Sequence, residues 1–332
     1  MPYGTVNADV IQTSTTGGIL GAGNASIMKN RIINGAMVID QRNAGASVSA
    51  TTSFPFSVDR WQLIATQNSK YTAQQNAGSV TPPVGFSNYL GITSSSAYSI
   101  TSTDQFRIIQ NIEGFNTADL QWGTANAKTV TLSFWVRSSL TGTFGGALTN
   151  DVYSRGYPFS YTISSANTWE QKTITVAGDT TGTWVGATNG SGMVVNLSFG
   201  VGSTLSNTAG AWAAGAFVSA TGATSVVGTN GATFYITGVQ LEVGSSATGF
   251  EYRVYGTELI NCQRYFVSLV STIVDSGSVV ANFFLPVFMR ATPTFTGGGS
   301  GFGIAGYTNG NTCGYMTQTT RGVQTLNASA EL

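Results

Sequence analysis

The chain has 332 residues, which is enough for one large or two modest domains. Only 8% of them are charged, against about 25% in a typical soluble domain, and the 14 basic and 14 acidic side chains cancel. A chain without net charge is not steered to nucleic acid or anionic lipid, so we expect neither partner. Histidine is absent, which excludes His-based acid–base catalysis, Ser-His-Asp and Cys-His nucleophiles, and histidine metal sites. Most enzyme classes are thereby disfavoured, and we predict that the chain is not an enzyme.

The first residues, MPYGTVNAD, have neither the basic nor the apolar region of a signal peptide. No apolar run approaches the roughly 18 residues of a membrane span, so we expect a cytoplasmically made protein without membrane insertion. Two cysteines, Cys262 and Cys313, are too few for a four-cysteine zinc site. They could pair across a loop of about fifty residues, worth about 4 kcal/mol in the chain-entropy model, or remain thiols.

Residues 1–30 form the first of three predicted parts. They are polar, rich in Gly and Thr, and weakly patterned. Alone they cannot bury enough apolar surface to fold, so we predict an extended tail or a segment that a partner orders.

Residues 31–256 form the predicted main domain, and their signal is β almost throughout. The clearest strand reads TVTLSFWVR (129–137) and alternates between two faces. One face carries Leu132, Phe134 and Val136, and the other carries Trp135 and Arg137. Further strand-like runs lie at 172–176, 196–199 and 233–242. Because many short strands alternate with turn sequences and no fixed repeat is present, we predict an all-β antiparallel jelly roll or β-sandwich.

Residues 257–332 form the predicted third part. The run TELINCQRYF that opens it reads as a short helix with Thr257 as the N-cap. The helix would place Leu259, Cys262 and Phe266 on one face. Strand character near 279–288 and a Gly-rich stretch at 297–306 follow. We predict a connecting helix and a smaller C-terminal β domain, small enough for neighbouring copies to share its stabilisation.

An ordered series of motifs between about residues 30 and 265 resembles a known family. The motifs are NRIINGAMVIDQR (30–42), VDRW (58–61), TLSFWVRS (131–138), NTWEQKTIT (167–175), AGDTTGTW (177–184), ATFYITGVQLEVGSSATGFEYR (232–253) and CQRY (262–265). The series resembles bacteriophage tail-fibre-like proteins, whose central domain is similar to a carbohydrate-binding-module jelly roll.

This resemblance implies a virion structural protein. We expect a homotrimeric tail-fibre subunit that attaches to a host-surface glycan without covalent chemistry. Its N-terminal segment would attach to other virion proteins, and its C-terminal part would contribute to oligomerisation. Two alternatives stay open: a purely structural virion protein (head decoration, head fibre or baseplate component) and a polysaccharide depolymerase.

A sugar-binding sandwich needs an aromatic face for the apolar side of a pyranose and polar groups for its hydroxyls. The candidate residues are Trp135 and Arg137, which emerge opposite the core face, and Trp184, which follows a turn. The alternatives are structural, with Trp135 packed beneath a loop or a neighbouring subunit and Trp184 in the sandwich core. The context of Trp61, after Asp59 and Arg60, indicates structural pairing. The remaining tryptophans lack distinguishing context: Trp122, Trp169 and Trp212.

A depolymerase would need two carboxylates across a cleft, one of them with a raised pKa. Spacing alone pairs none of the acids considered, which are Asp104, Glu113, Asp119, Asp151 and Asp179. The run GFGIAG (301–306) matches a dinucleotide-binding pattern, but a turn sequence follows it where a helix is required. We expect no cofactor. A structural Ca²⁺ stays open without assignable ligands, because no Asp-x-Asp-x-Asp-Gly loop is present.

Overall fold

The structure is a computed structural model that describes residues 28–273, 279–297 and 322–332, together with short strands at 11–12, 19–20 and 313–318. The described chain is almost entirely β, as predicted, with one α-helix, α1 (Tyr255–Gln263). Its strands are β1 (Ile11–Gln12), β2 (Ile19–Leu20), β3 (Val48–Ser49), β4 (Gln62–Ala65), β5 (Tyr71–Gln75), β6 (Leu90–Ser94), β7 (Gln105–Glu113), β8 (Val130–Ser138), β9 (Gly142–Thr149), β10 (Arg155–Ile163), β11 (Glu170–Val176), β12 (Ser191–Val201), β13 (Ser206–Asn207), β14 (Ala213–Ala214), β15 (Ser219–Ala220), β16 (Thr233–Val243), β17 (Phe266–Ile273), β18 (Val279–Phe284), β19 (Thr294–Gly297), β20 (Cys313–Gln318) and β21 (Gly322–Ser329).

Two six-stranded antiparallel sheets form a jelly-roll β-sandwich. The first sheet has the order β14-β10-β9-β12-β7-β4, and the second has the order β11-β8-β16-β6-β5-β3. Smaller sheets lie outside the sandwich: β17-β21-β19, the pair β18-β20, the parallel pair β13-β15, and the pair β1-β2. The predicted fold class is therefore confirmed.

Strand β8 shows how alternation in the sequence builds the core. Leu132, Phe134 and Val136 are fully buried between the sheets, whereas Trp135 and Arg137 are half-buried on the outer face of the second sheet. The other three strand-like runs lie within β11, β12 and β16. Both faces of β12 and β16 are buried, because loops and neighbouring segments cover the outer surface of each sheet.

The connecting helix differs in detail from its prediction. It begins at Tyr255, its N-cap is Val254 without a side-chain cap, and the predicted N-cap Thr257 lies within the helix. Phe266 starts β17 instead of continuing the helix. Glu258, which is buried, accepts a hydrogen bond from the backbone N–H of Asn34. Such a tertiary contact positions the helix start independently of local capping signals.

Cys262, one of the two cysteines that the sequence left open to pairing, is a buried free thiol. Burial raises the pKa of the Cys262 thiol well above its usual value. The strand predicted near 279–288 is present as β18, which ends at Phe284. The GFGIAG run (301–306) lies outside the described residues. Within the described part, no helix is long and apolar enough to cross a membrane.

The first motif, NRIINGAMVIDQR, is held in place by hydrogen bonds from two of its asparagines. Asn30 accepts hydrogen bonds from the backbone N–H groups of Ile32 and Leu241 and donates one to the carbonyl of Val239 at 3.1 Å. Asn34 bonds both backbone groups of Ile39, and its carbonyl accepts the Trp61 indole N–H. These contacts attach residues 30–34, where the chain enters the sandwich (the chain entry), to β16 and to the core.

The C-terminal residues dock on the same end of the sandwich. Glu331 pairs with Arg42 at 2.5 Å and also with Arg60. Arg264, just after α1, pairs with the buried carboxylate of Glu113 at 2.6 Å. Asp59 accepts a hydrogen bond from Gln41, Arg60 pairs with Glu331, and Trp61 donates to the Asn34 carbonyl, so these three motif residues make structural contacts. The predicted domain division at residue 256 stays a prediction.

Candidate functional site

Three tryptophans from different loops form one cluster beside the sandwich. The ring centroids of Trp122 and Trp184 are 4.8 Å apart, those of Trp122 and Trp212 are 5.2 Å apart, and those of Trp184 and Trp212 are 5.5 Å apart. Each pair meets edge to face, the arrangement that aromatic quadrupoles favour. Tyr157 of β10 extends the cluster, with its ring centroid 5.3 Å from that of Trp212.

The indole N–H groups of this tryptophan cluster are bonded within the protein. Trp122 donates to the carbonyl of Lys128 at 2.7 Å, and Trp212 donates to the carbonyl of Ala177 at 2.7 Å. Trp184 shares its N–H between Asp179 Oδ2 and the Thr181 carbonyl, both at 3.3 Å. The rings are therefore oriented by the protein, and their remaining contact capacity is the apolar ring surface.

The loop that carries Trp184 is held by a buried ion pair. Arg155 binds Asp179 in a bidentate arrangement, with both N···O distances 2.7 Å, and the Asp179 side chain is only 2% exposed. Burial opposes ionisation of Asp179, but hydrogen bonds from Arg155 and Thr181 outweigh it, so the pKa of Asp179 lies below 3.8. Gly123 has φ 84°, and a Cβ there would lie 3.1 Å from Trp184 Cδ1, so this close approach favours glycine.

A cleft of about 370 Å³ opens beside Trp122 and Trp184. Its walls combine two tryptophan rings and aliphatic groups with neutral polar side chains. They are formed by Thr117, Ala118, Leu120, Gln121, Trp122, Thr124, Asn126, Trp184, Val185, Gly186, Gly192 and Met193. Trp122 is almost buried, Trp184 is half-buried, and Gln121 and Asn126 are exposed. This arrangement offers an apolar ring surface next to amides that can donate and accept hydrogen bonds.

Trp135 and Arg137 lie on a different surface, the outer face of the second sheet. Trp135 is flanked by Gln171 of β11 and Thr237 of β16. Arg137 donates to the Asn167 carbonyl at 2.9 Å and lies 5.4 Å from the ring centroid of Tyr235. A loop carrying Tyr89 covers part of this face, and the Tyr89 ring packs on Tyr235 and Trp169.

The structure does not bring the three predicted site residues together. The end of the β8–β11 ladder nearest the Trp184 loop is the Val130–Val176 pair, five residues from Trp135, or about 17 Å along a strand. Sequence reasoning missed Trp122, Gln121 and Asn126 as neighbours of Trp184. No local signal marks them, because the cleft forms only when separate loops meet at one end of the sandwich.

The acids considered for catalysis are mostly engaged in structural contacts. Asp104 accepts hydrogen bonds from Thr66, Tyr98 and Thr101, and Asp119 pairs with Arg31 at 2.7 Å. Glu113 and Asp179 pair with arginines as described above, and Asp151 is exposed in a turn. In the described part of the chain, no group of three or more acidic or cysteine side chains is placed to hold a metal ion.

No protein-family model matches the chain, and no curated protein matches it. Among solved structures, the enzymatically active domain of bacteriophage CBA120 tailspike protein 4 is similar, with 13% identity and a TM-score of 0.35. That match covers 65% of this chain and 21% of the tailspike chain, so this chain spans about a fifth of it.

Two smaller proteins are similar over nearly their whole length. A putative sugar-binding protein from Bacteroides thetaiotaomicron has 12% identity and a TM-score of 0.38 and matches over 65% of this chain and 100% of its own. A family 11 carbohydrate-binding module from Clostridium thermocellum, solved with a β-1,3-1,4-mixed-linked tetrasaccharide, has 8% identity and a TM-score of 0.29. That match covers 61% of this chain and 98% of the module. Ligand and activity depend on the residues that this chain itself presents.

Proposed function

We propose that this chain is a virion appendage subunit of the tail-fibre type that binds a host-surface glycan in the cleft beside Trp122 and Trp184. The observation that carries the glycan part is the cleft itself, where oriented tryptophan rings stand next to exposed neutral amides. Pyranoses present an apolar face and several hydroxyls, and this combination matches both. The virion part is supported by the ordered motifs that resemble tail-fibre-like proteins.

Weak binding at each cleft is sufficient for adsorption if copies are joined. A millimolar site is worth about 4 kcal/mol, and linking sites can raise the overall affinity by a factor of roughly 10² to 10⁴ when geometry permits simultaneous engagement. We propose a homotrimer for this reason, with the N-terminal segment attached to other virion proteins. No catalytic step is part of the proposal, since four of the five acids considered are engaged in hydrogen bonds or ion pairs.

The test is a glycan-array screen with the full chain and two single variants. Trp184→Ala removes one wall of the cleft, and we expect it to reduce binding at least tenfold. Trp135→Ala serves as the matched control on the outer face of the second sheet, and we expect binding within twofold of the unmodified chain. Loss of binding in Trp135→Ala with retention in Trp184→Ala would place the glycan on the other face.

Because Trp184 packs against two other tryptophans, its removal could also loosen the loop. Asn126→Ala avoids this problem, since the Asn126 side chain is exposed and has no hydrogen-bond partner among the described residues. We expect weaker binding with an unchanged thermal unfolding midpoint. Gold-labelled antibody on intact virions then tests the location, and label on tail appendages is the expected result.

One observation favours a second candidate, a purely structural virion protein. Several large apolar side chains near the connection between the sandwich and α1 are exposed: Val84 (99%), Tyr252 (61%), Val254 (78%) and Tyr255 (62%). Exposed apolar patches commonly mark protein–protein contacts. Antibody label over the capsid, combined with no glycan binding, would support this second candidate.

A further inference from the structure

We infer that the cleft beside Trp122 and Trp184 selects uncharged sugars and discriminates against acidic ones, an inference that rests on the proposed glycan function. None of the twelve residues that form the cleft is an aspartate, glutamate, lysine or arginine. The polar side chains of the cleft wall are the amides of Gln121 and Asn126 and the hydroxyls of Thr117 and Thr124. A glycan carboxylate, sulfate or phosphate would therefore find no cation in the cleft.

The two acidic side chains nearest the cleft are paired with arginines, and the nearest lysine is not part of the cleft wall. Behind Trp184, the carboxylate of Asp179 is paired with Arg155. Asp119, in the turn that leads to the cleft, is paired with Arg31. Lys128 contributes only its backbone carbonyl to Trp122, and its exposed side chain is not part of the cleft wall. No charged side chain thus forms part of the cleft wall.

An acidic sugar would lose part of its hydration on entering this cleft without gaining an ion pair. A neutral sugar avoids that cost, because its hydroxyls exchange water for the amide groups of Gln121 and Asn126. Gln121 has φ 54°, in the left-handed region, and its side chain has no hydrogen-bond partner among the described residues. The exposed amides at the rim are consequently available to a ligand.

A cleft wall without charged side chains also predicts how glycan binding depends on salt. Attraction between charges weakens as ionic strength rises, because the Debye length falls from about 10 Å at 0.1 M to about 3 Å at 1 M salt. Stacking and neutral hydrogen bonds lack this dependence. We therefore expect the dissociation constant of a neutral glycan to change less than twofold between 0.05 M and 0.5 M NaCl.

The experiment compares matched pairs of oligosaccharides on the full chain by isothermal titration calorimetry. The neutral members are glucose, galactose and mannose oligosaccharides, and the acidic members are the corresponding uronates. We expect at least one neutral member to bind and its uronate to bind at least tenfold more weakly. Asn126→Lys adds a cation at the rim, and we expect it to improve uronate binding at low salt only.

The outcomes separate the two proposals. Uronate binding that equals or exceeds neutral binding in the unmodified chain would overturn the inference while leaving glycan binding intact. If that uronate binding is lost in Lys128→Gln, the Lys128 side chain supplies the cation, and the inference is likewise overturned. Binding of neither class would overturn the proposed glycan function and the inference together.

Discussion

Arg60 and Glu331 form an ion pair although they are 271 positions apart in the chain. Both side chains are buried, with exposures of 2% and 8%. Arg42 joins the same carboxylate at 2.5 Å and stacks its guanidinium 3.5 Å from the ring centroid of Phe266. Through Arg42, the Glu331 carboxylate is thus linked to Phe266, the first residue of β17.

We predict that Glu331→Ala strongly destabilises the protein. The substitution removes the carboxylate shared by Arg42 and Arg60. Arg42 keeps Asp59 at 3.6 Å, but the buried Arg60 loses its carboxylate, and leaving a buried charge without its partner typically costs about 3 to 5 kcal/mol. The measurement is the free energy of unfolding from urea denaturation at pH 7. Asp151→Ala is the control, because it removes an acid that is exposed in a turn, and its cost should stay within about 0.5 kcal/mol. Equal effects of the two variants would contradict the structural role of Glu331.

The raised pKa of Asp59, which lies close to this ion pair, gives a pH dependence of stability. Burial raises the pKa of Asp59 to about 7, opposed by the hydrogen bond from Gln41 and by Arg42, while Glu331 and Asp40 add to the increase. A folded pKa above the unfolded value of 3.8 gives a contribution that is fully present below about pH 4. That contribution is lost as the pH rises to about 7, because only the unfolded state ionises in this range.

We therefore predict that Asp59→Asn flattens the pH profile between pH 4 and pH 7. Relative to the variant, the unmodified chain should lose a few kcal/mol of unfolding free energy across this range, and the difference should be constant above pH 8. Urea denaturation at one-unit pH intervals measures this difference. A difference that is the same at pH 4 and pH 8 would show that the pKa of Asp59 is not raised.

The lowered pKa of Asp179 gives a pH dependence of stability that is opposite in sign to that of Asp59. The pKa of Asp179 is lowered, so its contribution to stability is present above its unfolded pKa of 3.8 and is lost as the pH falls through its folded value. We predict that Asp179→Asn costs about 1 to 3 kcal/mol at pH 7 and that this deficit shrinks below pH 4. Asp151→Asn is the control, because the exposed Asp151 side chain has no hydrogen bond or ion pair among the described residues. Asp179→Asn should also shift the fluorescence of Trp184, since the indole N–H of Trp184 donates to Asp179. An unchanged spectrum would contradict this contact.

The sequence predicts those parts of the fold that depend on local alternation. The burial of Leu132, Phe134 and Val136 follows from a period of two, which any strand with one face in a core must obey. The ends of α1 do not follow from local signals, because the helix start is fixed by the contact between Glu258 and Asn34. Local propensity is a weak prior wherever a tertiary contact of this kind competes with it.

The candidate site is less predictable than the fold for a related reason. Trp184 could be selected because it follows a turn, but its partners Trp122 and Trp212 lie in loops 62 and 28 residues away in the numbering of the chain. Only the pairing of the strands into sheets, and the packing of the two sheets, places these loops at one end of the sandwich. The motif NRIINGAMVIDQR, in contrast, carries the family resemblance, yet its Asn30 and Asn34 hold the chain entry in place and do not border the cleft.

Gly35, within that motif, gives the most direct test of this structural role. A Cβ at this position would lie 2.1 Å from the carbonyl oxygen of Val239, far inside contact distance, and the Gly35 carbonyl accepts the Val239 N–H at 2.9 Å. We predict that Gly35→Ala lowers the free energy of unfolding by about 1 to 3 kcal/mol, because the backbone of the chain entry must move away from β16.

The control for Gly35→Ala is Gly249→Ala, since a Cβ at Gly249 meets nothing within 4 Å and its φ is not positive. We expect this control to be neutral or slightly stabilising, because alanine restricts the unfolded chain. Urea denaturation of both variants gives the comparison, and a glycan-binding measurement on Gly35→Ala adds a second readout. Because Gly35 does not border the Trp122–Trp184 cleft, the folded fraction of this variant should keep its glycan affinity. Loss of affinity at full stability would instead connect the chain entry to the binding site.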